Sequence, residues 1–435
     1  MSALSIGHPT GDTAGYAVPE TGNRKPETGN RKPETGNRKP ETKVTMIRNV
    51  SAMKFVVLVL VLFAPPVWSQ QAWLMTYGTA ERVEEKFGHN AIWIRDVERG
   101  IDQVYNFGFF DFDKPGFYKE YLFGEMVYFA LARTPEEELS YYRWRDRSVR
   151  AQLLNLGPET VRRLTGWLEA RVQPETRDFR YDYYFNNCSN RVRDALDFAL
   201  DGALSEYSKP LPASADFRAH TRRLVQDDFL LYLGIEAGLG RMADRKRSVW
   251  EEMFLPMVVA ETVAAMSITT PGGREQPLVV DDRMLYESTR EAPPASPGFH
   301  AMVFVGLSLA SIGLIVSPAL SFRRRLPRLL GARAWIVFSV LGGGLLLFLW
   351  LFTAHEAAWR NENLLLLNPL AVLLWRFRGT MVERGAVLLM VVGLVAALVL
   401  KLLPGAQWNY DMMLWLVPAQ IALFWTWYRE FRRSP

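Results

Sequence analysis

The amino-acid sequence predicts an α+β domain outside the cytoplasm, followed by an α-helical membrane bundle of about five spans. Three observations lead there. A complete secretory signal precedes a charged, mixed segment. That segment opens on strand-like alternating runs and continues in helical periodicity. Beyond about Gly298, apolar blocks alternate with short arginine-rich breaks. The 435 residues leave room for more than one ordinary domain.

Residues 19–39 are three tandem copies of Pro-Glu-Thr-Gly-Asn-Arg-Lys, with a truncated fourth from Pro40. No repeat position is apolar and every copy carries Pro and Gly, so residues 1–45 are expected to be disordered. The secretory signal starts only at Met46, which points to Met46 or Met53 as the true start. Arg48 and Lys54 form a charged n-region, Phe55–Phe63 a short apolar core, and Pro65-Pro66 and Val67-Trp68-Ser69 a cleavage-like end. The signal peptide is therefore placed at 46–69.

Residues 70–298 are expected to form the folded extracytoplasmic domain. Ala72–Tyr77, Ala91–Arg95 and Gln103–Phe107 read as strands, the last two joined as a hairpin through Asp96–Gly100. From Thr134 onward helical periodicity dominates, starting with the acid-rich turn Pro135-Glu136-Glu137-Glu138. Residues 299–435 hold apolar blocks at roughly 299–320, 334–354, 364–375, 385–403 and 411–428. Alternate crossings from an outside domain put every Arg cluster (323–333, 376–384, 429–433) in the cytoplasm, and the C-terminus with them. The third block is short and contains Pro369, which suits a re-entrant segment. That alternative would leave its arginines outside, so a crossing is preferred. The net charge of +5 thus reports topology, and no nucleic-acid partner is expected.

Cys188 is the one cysteine, which excludes an intrachain disulfide, a Cys-rich zinc site and an iron–sulfur centre. An idle exposed thiol is a liability in an exported protein, and a buried apolar thiol is the plain alternative. Val192, Ala195, Leu196, Ala199 and Leu200 recur with amphipathic helical spacing behind it, with Gly202 as a stop and Asn187 or Ser189 as a cap. Cys188 then sits at the first turn, where the helix dipole and free N–H groups stabilise a thiolate and can build an oxyanion hole. A thiolate nucleophile needs an imidazole. His220 lies in an Arg-flanked polar stretch and His300 abuts the first apolar block. His89 begins the strand Ala91–Ile94 and follows Gly88, so it is the preferred base. A structural His is the rival reading.

A strand-borne His preceding an Asn-Cys helix reverses the usual papain-type order and matches the circularly permuted arrangement of the lecithin:retinol acyltransferase group. Tyr77-Gly78, Glu85–Ile94, Val104–Gly108 and Tyr181–Asp194 resemble the periplasmic domain of the Lnb-type lipoprotein N-acyltransferases. Glu252–Pro256, His355-Glu356 and Asn363–Pro369 are also similar to that family, and the likeness covers most of residues 70–375. The resemblance implies a permuted papain-like (NlpC-like) fold and a membrane-bound cysteine acyltransferase. Its donor would be a phospholipid and its acceptor the N-terminal cysteine of a lipoprotein, in the bacterial inner membrane. Cys188 matches the nucleophile and His89 the base. Asn106, on the paired strand, is the candidate to orient His89, with Asp96 and Asp111 competing.

Arg191 and Arg193 suit a phospholipid headgroup, or simply a solvated helix face. Asn187, Arg191, His355 and Glu356 are the candidate substrate-binding residues. For His355 and Glu356 a polar interfacial loop is the preferred reading over substrate contact, and they lack the neighbours a metal site needs, so no metal or cofactor is expected. Tyr181, Tyr183, Tyr184 and Phe185 either line an acyl-chain groove or pack beneath the site, packing being preferred. Two rival functions remain: a cysteine peptidase or amidase acting on cell-wall peptide, and a non-catalytic membrane scaffold.

Overall fold

The alternating runs that open the domain form its central sheet. The computed structural model describes Leu4–Ser5 and residues 70–269, 273–320, 330–376 and 379–431. The expected repeat segment and signal peptide lie outside the described residues. β1 (Gln70–Tyr77), β2 (His89–Asp96) and β3 (Ile101–Phe110) are successive antiparallel strands, in register from Tyr77 opposite His89 to Ala91 opposite Asn106. The β2–β3 turn is the expected hairpin. Asp96 Oδ1 accepts the N–H groups of Glu98 and Arg99 at 3.1 and 3.2 Å, and Gly100 takes the left-handed backbone that the turn requires.

Next come α1 (Phe117–Phe123), β4 (Val127–Arg133) and α2 (Pro135–Trp144). Thr134 and Glu137 close a reciprocal capping box at the acid-rich start of α2. The segment beyond Thr134 is less helical than its pattern suggests, because β5 (Val149–Leu154) and β6 (Asp178–Arg180) interrupt it. A small hairpin, β7 (Ser267–Thr269) with β8 (Glu275–Pro277), and the strand β9 (Val279–Tyr286) follow later. The main sheet runs β9–β5–β1–β2–β3–β4–β6. Strands β5, β6 and β9 have weak local signatures and exist because neighbours offer hydrogen-bonding edges: β5 pairs on β1, β9 on β5 and β6 on β4. One sheet face is covered by α3 (Pro158–Glu169) and α4 (Cys188–Ala199), whose Leu164, Leu168, Val192 and Leu196 meet Leu74, Ile92, Ile94 and Phe107.

Three further helices, α5 (Phe217–Val225), α6 (Phe229–Gly238) and α7 (Pro256–Ala265), lead toward the helical C-terminal part. That part holds α8 (Ala301–Leu320), α9 (Leu330–Phe352), α10 (Met381–Leu400) and α11 (Tyr410–Phe431). Among the described residues α9 and α10 are long and apolar enough to cross a bilayer. The third apolar block departs from expectation: it is no continuous helix. It forms two 3-10 turns, Glu362–Leu365 and Pro369–Val372, and one α turn, Leu373–Arg376. Asn361 and Asn368 cap these turns, Asn363 donates to Glu236 O and Ala237 O, and Pro369 has no N–H to continue a helix. Irregular backbone of this kind is tolerated inside a protein core, and here it is packed between α9 and α10.

Buried polar contacts clasp the two parts. Arg222 donates to Gly298 O and Tyr232 Oη, approaches Asp411 at 3.4 Å and stacks on Trp408. Glu362 is bonded to Lys401 and to both the backbone and side chain of Gln407, while Gln407 also reaches Leu239 O. The 355–363 and 404–410 loops therefore lie on the same side, against the sheet-bearing part.

A Cβ on Gly343 would run into Leu367 O, whereas Gly344 faces open space. We expect Gly343→Leu to destabilise the protein by about 1–3 kcal/mol or more through overpacking, while Gly344→Leu changes little. Melting temperatures of the detergent-solubilised variants check this.

Candidate active site

Asn187 organises the site. Its Oδ1 accepts the N–H of Asn190 at 3.0 Å and Asn190 returns the bond, closing a capping box that starts α4 at Cys188. Its Nδ2 donates to Tyr183 O and Phe254 O, each at 2.9 Å. Two residues past Phe254, the Pro256 ring packs against Gly88, the residue before His89. The segment 254–256 thus bridges the start of the Cys188 helix and the start of the His89 strand. Helix α4 also packs directly on β2.

His89 is buried at 1% exposure, and its ring stacks on Tyr77, which stacks on Tyr142. Its Nε2 lies 2.7 Å from Asn106 Oδ1, and Asn106 Nδ2 donates to Glu138 Oε1 at 2.6 Å. Because Asn106 spends its amide hydrogens on Glu138, its oxygen must accept from His89. The imidazole proton then sits on Nε2, and Nδ1 keeps its lone pair. Nδ1 is buried and has no hydrogen-bond partner among the described residues. Of the three residues considered for orienting His89, the structure brings Asn106. Asp96 is occupied in the β2–β3 turn, and Asp111 Oδ1 accepts from Asp113 N.

Glu138 was not anticipated from the sequence. It is the buried member of the acidic run that opens α2, where Glu136 and Glu137 are exposed. It lies one helical turn before the buried Tyr142, and this i, i+4 spacing, visible in the sequence, puts that single carboxyl on the inward face of α2. Burial raises the Glu138 carboxyl above its usual range, against the opposing effects of the Asn106 hydrogen bond and His89.

Cys188 is 1% exposed. Burial holds the phenols of Tyr128, Tyr142 and Tyr181 above their usual range, and a negative charge on the Cys188 thiol would push them further the same way; Tyr142 is one end of the His89 stack. The two other histidines considered as the base are engaged elsewhere. His220 Nε2 is 2.7 Å from Glu252 Oε1, and His300 packs edge-on against Tyr232.

Of the candidate substrate residues, Asn187 and His355 meet at one cavity and the others do not. His355 is hydrogen-bonded to the Tyr183 hydroxyl through Nδ1, and its Nε2 lies 3.1 Å from Tyr121 O. Burial lowers its affinity for a proton, keeping the ring neutral. Glu356 is exposed and forms no part of that cavity's wall. Arg191 stacks on Phe179, and its Nε has no partner among the described residues. Arg193 does not lie on a solvated face: it is buried, donates to Trp250 O and stacks on that ring. Tyr181 packs against Tyr128, whereas Tyr183 and Tyr184 line the cavity and Phe185 is exposed. Among the described residues no cluster of acidic, His or Cys side chains could hold a metal.

A sheet-bearing part followed by apolar helices, two of them long enough to cross a bilayer, makes this a membrane protein with a folded N-terminal domain, and two family matches place that domain outside the cytoplasm. Residues 69–225 match the Lnb N-terminal periplasmic domain and residues 299–407 the Lnb transmembrane domain. Together these cover more than half of the chain, which belongs to the Lnb family. No curated protein and no solved structure matches it.

The raised Glu138 carboxyl fixes a sign. The folded state holds this proton more tightly than the unfolded chain, whose carboxyl titrates at about 4.3. Stability therefore falls as pH rises from that value through the folded-state pKa, and is level above it. Glu138→Gln keeps an acceptor for Asn106 and is expected to remove this fall. Melting curves across the acid range check it, and parallel curves for the two proteins would rule it out.

Proposed function

We propose that this chain is a membrane cysteine acyltransferase. It would move an acyl chain from a phospholipid, through a Cys188 thioester, to an amine acceptor: the N-terminal cysteine of a lipoprotein. The observation that carries the proposal is the His89–Asn106–Glu138 chain, which leaves the Nδ1 lone pair available at the start of β2, the strand on which the Cys188 helix packs. Membership in the Lnb family supports a role in lipoprotein maturation. The sheet and the Cys188 helix are consistent with the permuted papain-like arrangement.

In the first half-reaction Cys188 gives its proton to His89 Nδ1, and the thiolate attacks the ester carbonyl carbon. The C–S bond forms as the carbonyl π pair moves onto oxygen, where backbone N–H groups at the start of α4 can receive it. Collapse breaks the ester C–O bond, and His89 protonates the departing lysophospholipid alkoxide. In the second half the acceptor amine attacks the thioester and loses its proton to His89. The C–N bond replaces the C–S bond, and the proton returns to the thiolate. Asn106, held by Glu138, keeps the imidazole in the Nε2–H form in both halves.

The proposed organisation follows the same reading. A signal peptide at 46–69 directs the 70–298 domain to the periplasm, and residues 299–435 anchor it with five passes. Lys401, at the end of α10, pairs with Glu362 on the sheet-bearing side. A 20-residue α10 is about 30 Å long, so Met381 lies that far away. The broken third block, with the turn after it, must cover the same distance, which supports a crossing despite its irregular backbone. The C-terminus would then be cytoplasmic. Green fluorescent protein fused there should fluoresce, and alkaline phosphatase fused there should be inactive; the opposite pattern would reverse the topology.

Incubation of the purified protein with labelled phospholipid is expected to yield an acyl group on Cys188. Cys188→Ala should abolish it, and His89→Ala should slow it about 10²–10⁴-fold. Asn106→Ala should cause a smaller loss. Release of cell-wall peptides without lipid-derived acyl-enzyme would favour a peptidase, and a thiol inert to iodoacetamide near neutral pH a scaffold. In a strain lacking its lipoprotein N-acyltransferase, the wild-type chain should restore growth and Cys188→Ser should not.

A further inference from the structure

A buried thiol needs a route for its substrate, and one cavity touches the thiol's own helix cap. It has a volume of about 330 Å³, within the ~300–1,000 Å³ range of small-molecule sites. Asn187 and Phe254, the pair that anchors the start of the Cys188 helix, form part of its wall. Leu349, in the last turn of the apolar helix α9, forms another part. The cavity therefore joins the thiol's surroundings to the membrane-embedded half of the protein.

Its chemistry selects the occupant. Most of the polar side chains in the wall are already hydrogen-bonded to other groups. Tyr183 is bonded to His355, Tyr184 Oη lies 2.8 Å from Thr221 Oγ1, and Asn187 is committed to Tyr183 O and Phe254 O. What they leave to a ligand is hydrocarbon: Phe87, Val225, Leu231, Ile235, Leu239 and Leu349. The space is kept open by Gly234 and Gly238 of α6, where an added Cβ would meet no atom within 4 Å.

Resting on the acyltransferase reading, we propose that this cavity is the acyl-chain subsite. The fatty chain of the phospholipid donor lies along α6, with its carbonyl end at Asn187 and its methyl end toward Leu349. A chain leaving the bilayer beside α9 passes from lipid to protein without exposing hydrocarbon to water. Side-chain bulk at positions 234 and 238 then sets the longest chain that Cys188 accepts.

The test is single-turnover acylation of Cys188 in the full-length protein, without acceptor, from dihexanoyl-, dioctanoyl- and dipalmitoyl-phosphatidylethanolamine. Gly234→Leu is expected to slow acylation by the dipalmitoyl donor about ten-fold or more while sparing the dihexanoyl donor, whose rate also reports intact folding. Leu349→Ala should shift preference the other way. If Gly234→Leu loses all three donors, Gly234→Ala and Leu349→Ala decide. Chain-length profiles that match wild type in these variants overturn the subsite but leave the acyltransferase standing. Failure of the wild-type chain to acylate Cys188 from any donor overturns both. Acyl-enzyme formed from a diacylglyceryl lipopeptide with phospholipid omitted would assign the cavity to the acceptor's chains and overturn the proposal.

Discussion

The side chain of Asn187 is the constraint on which the site depends. Through one amide it caps the Cys188 helix, holds the aromatic loop that precedes it, and ties both to the backbone of Phe254. Phe254 leads into Pro256, which packs on Gly88 at the start of the His89 strand. A helix start and a strand start, 99 positions apart in the chain, are thereby referred to one short segment. Buried amides are costly when unpaired, so all of these bonds must form together or none is favourable.

Around that anchor the polar chain from His89 through Asn106 to Glu138 is ordered by direction. Each group donates to the next, and the sense is set by the carboxyl at the far end, which can only accept when ionised. A low-dielectric pocket makes such a chain rigid and its protonation state consequential. The aromatic stack of His89, Tyr77 and Tyr142 closes one side, so the imidazole has little freedom to turn.

The membrane part contributes more than attachment. Its loops meet the sheet-bearing part through contacts of Asp411 with Arg222, of Asn363 with Glu236 O and of Gln407 with Leu239 O, and His355 reaches the aromatic loop before Cys188. The end of α9 is thus linked to the wall beside the thiol. Shape and chemistry here are shared between the two parts, and neither alone would enclose the cavity.

Much of this was legible in the sequence where the signal is local. The strands opening the domain, the β2–β3 hairpin and the capped Cys188 helix all follow from period, turn residues and caps within a few positions of each other. His89 and Asn106 were placed on paired strands for the same reason. Strands β5, β6 and β9 were not legible, because their partners lie far away in the chain and pairing, more than propensity, creates them. Nor was the broken third apolar block, whose composition matches a helix but whose backbone is held by Asn361, Asn363 and Asn368. Glu138 shows the same boundary. Its residue type was visible beside two similar neighbours, but its partnership with Asn106 exists only once α2 folds over β3. By itself, then, the sequence determined which residues could carry the chemistry, since local periodicity and capping are short-range. Only the tertiary structure decided how they combine, because burial and hydrogen-bond direction arise from contacts between distant segments.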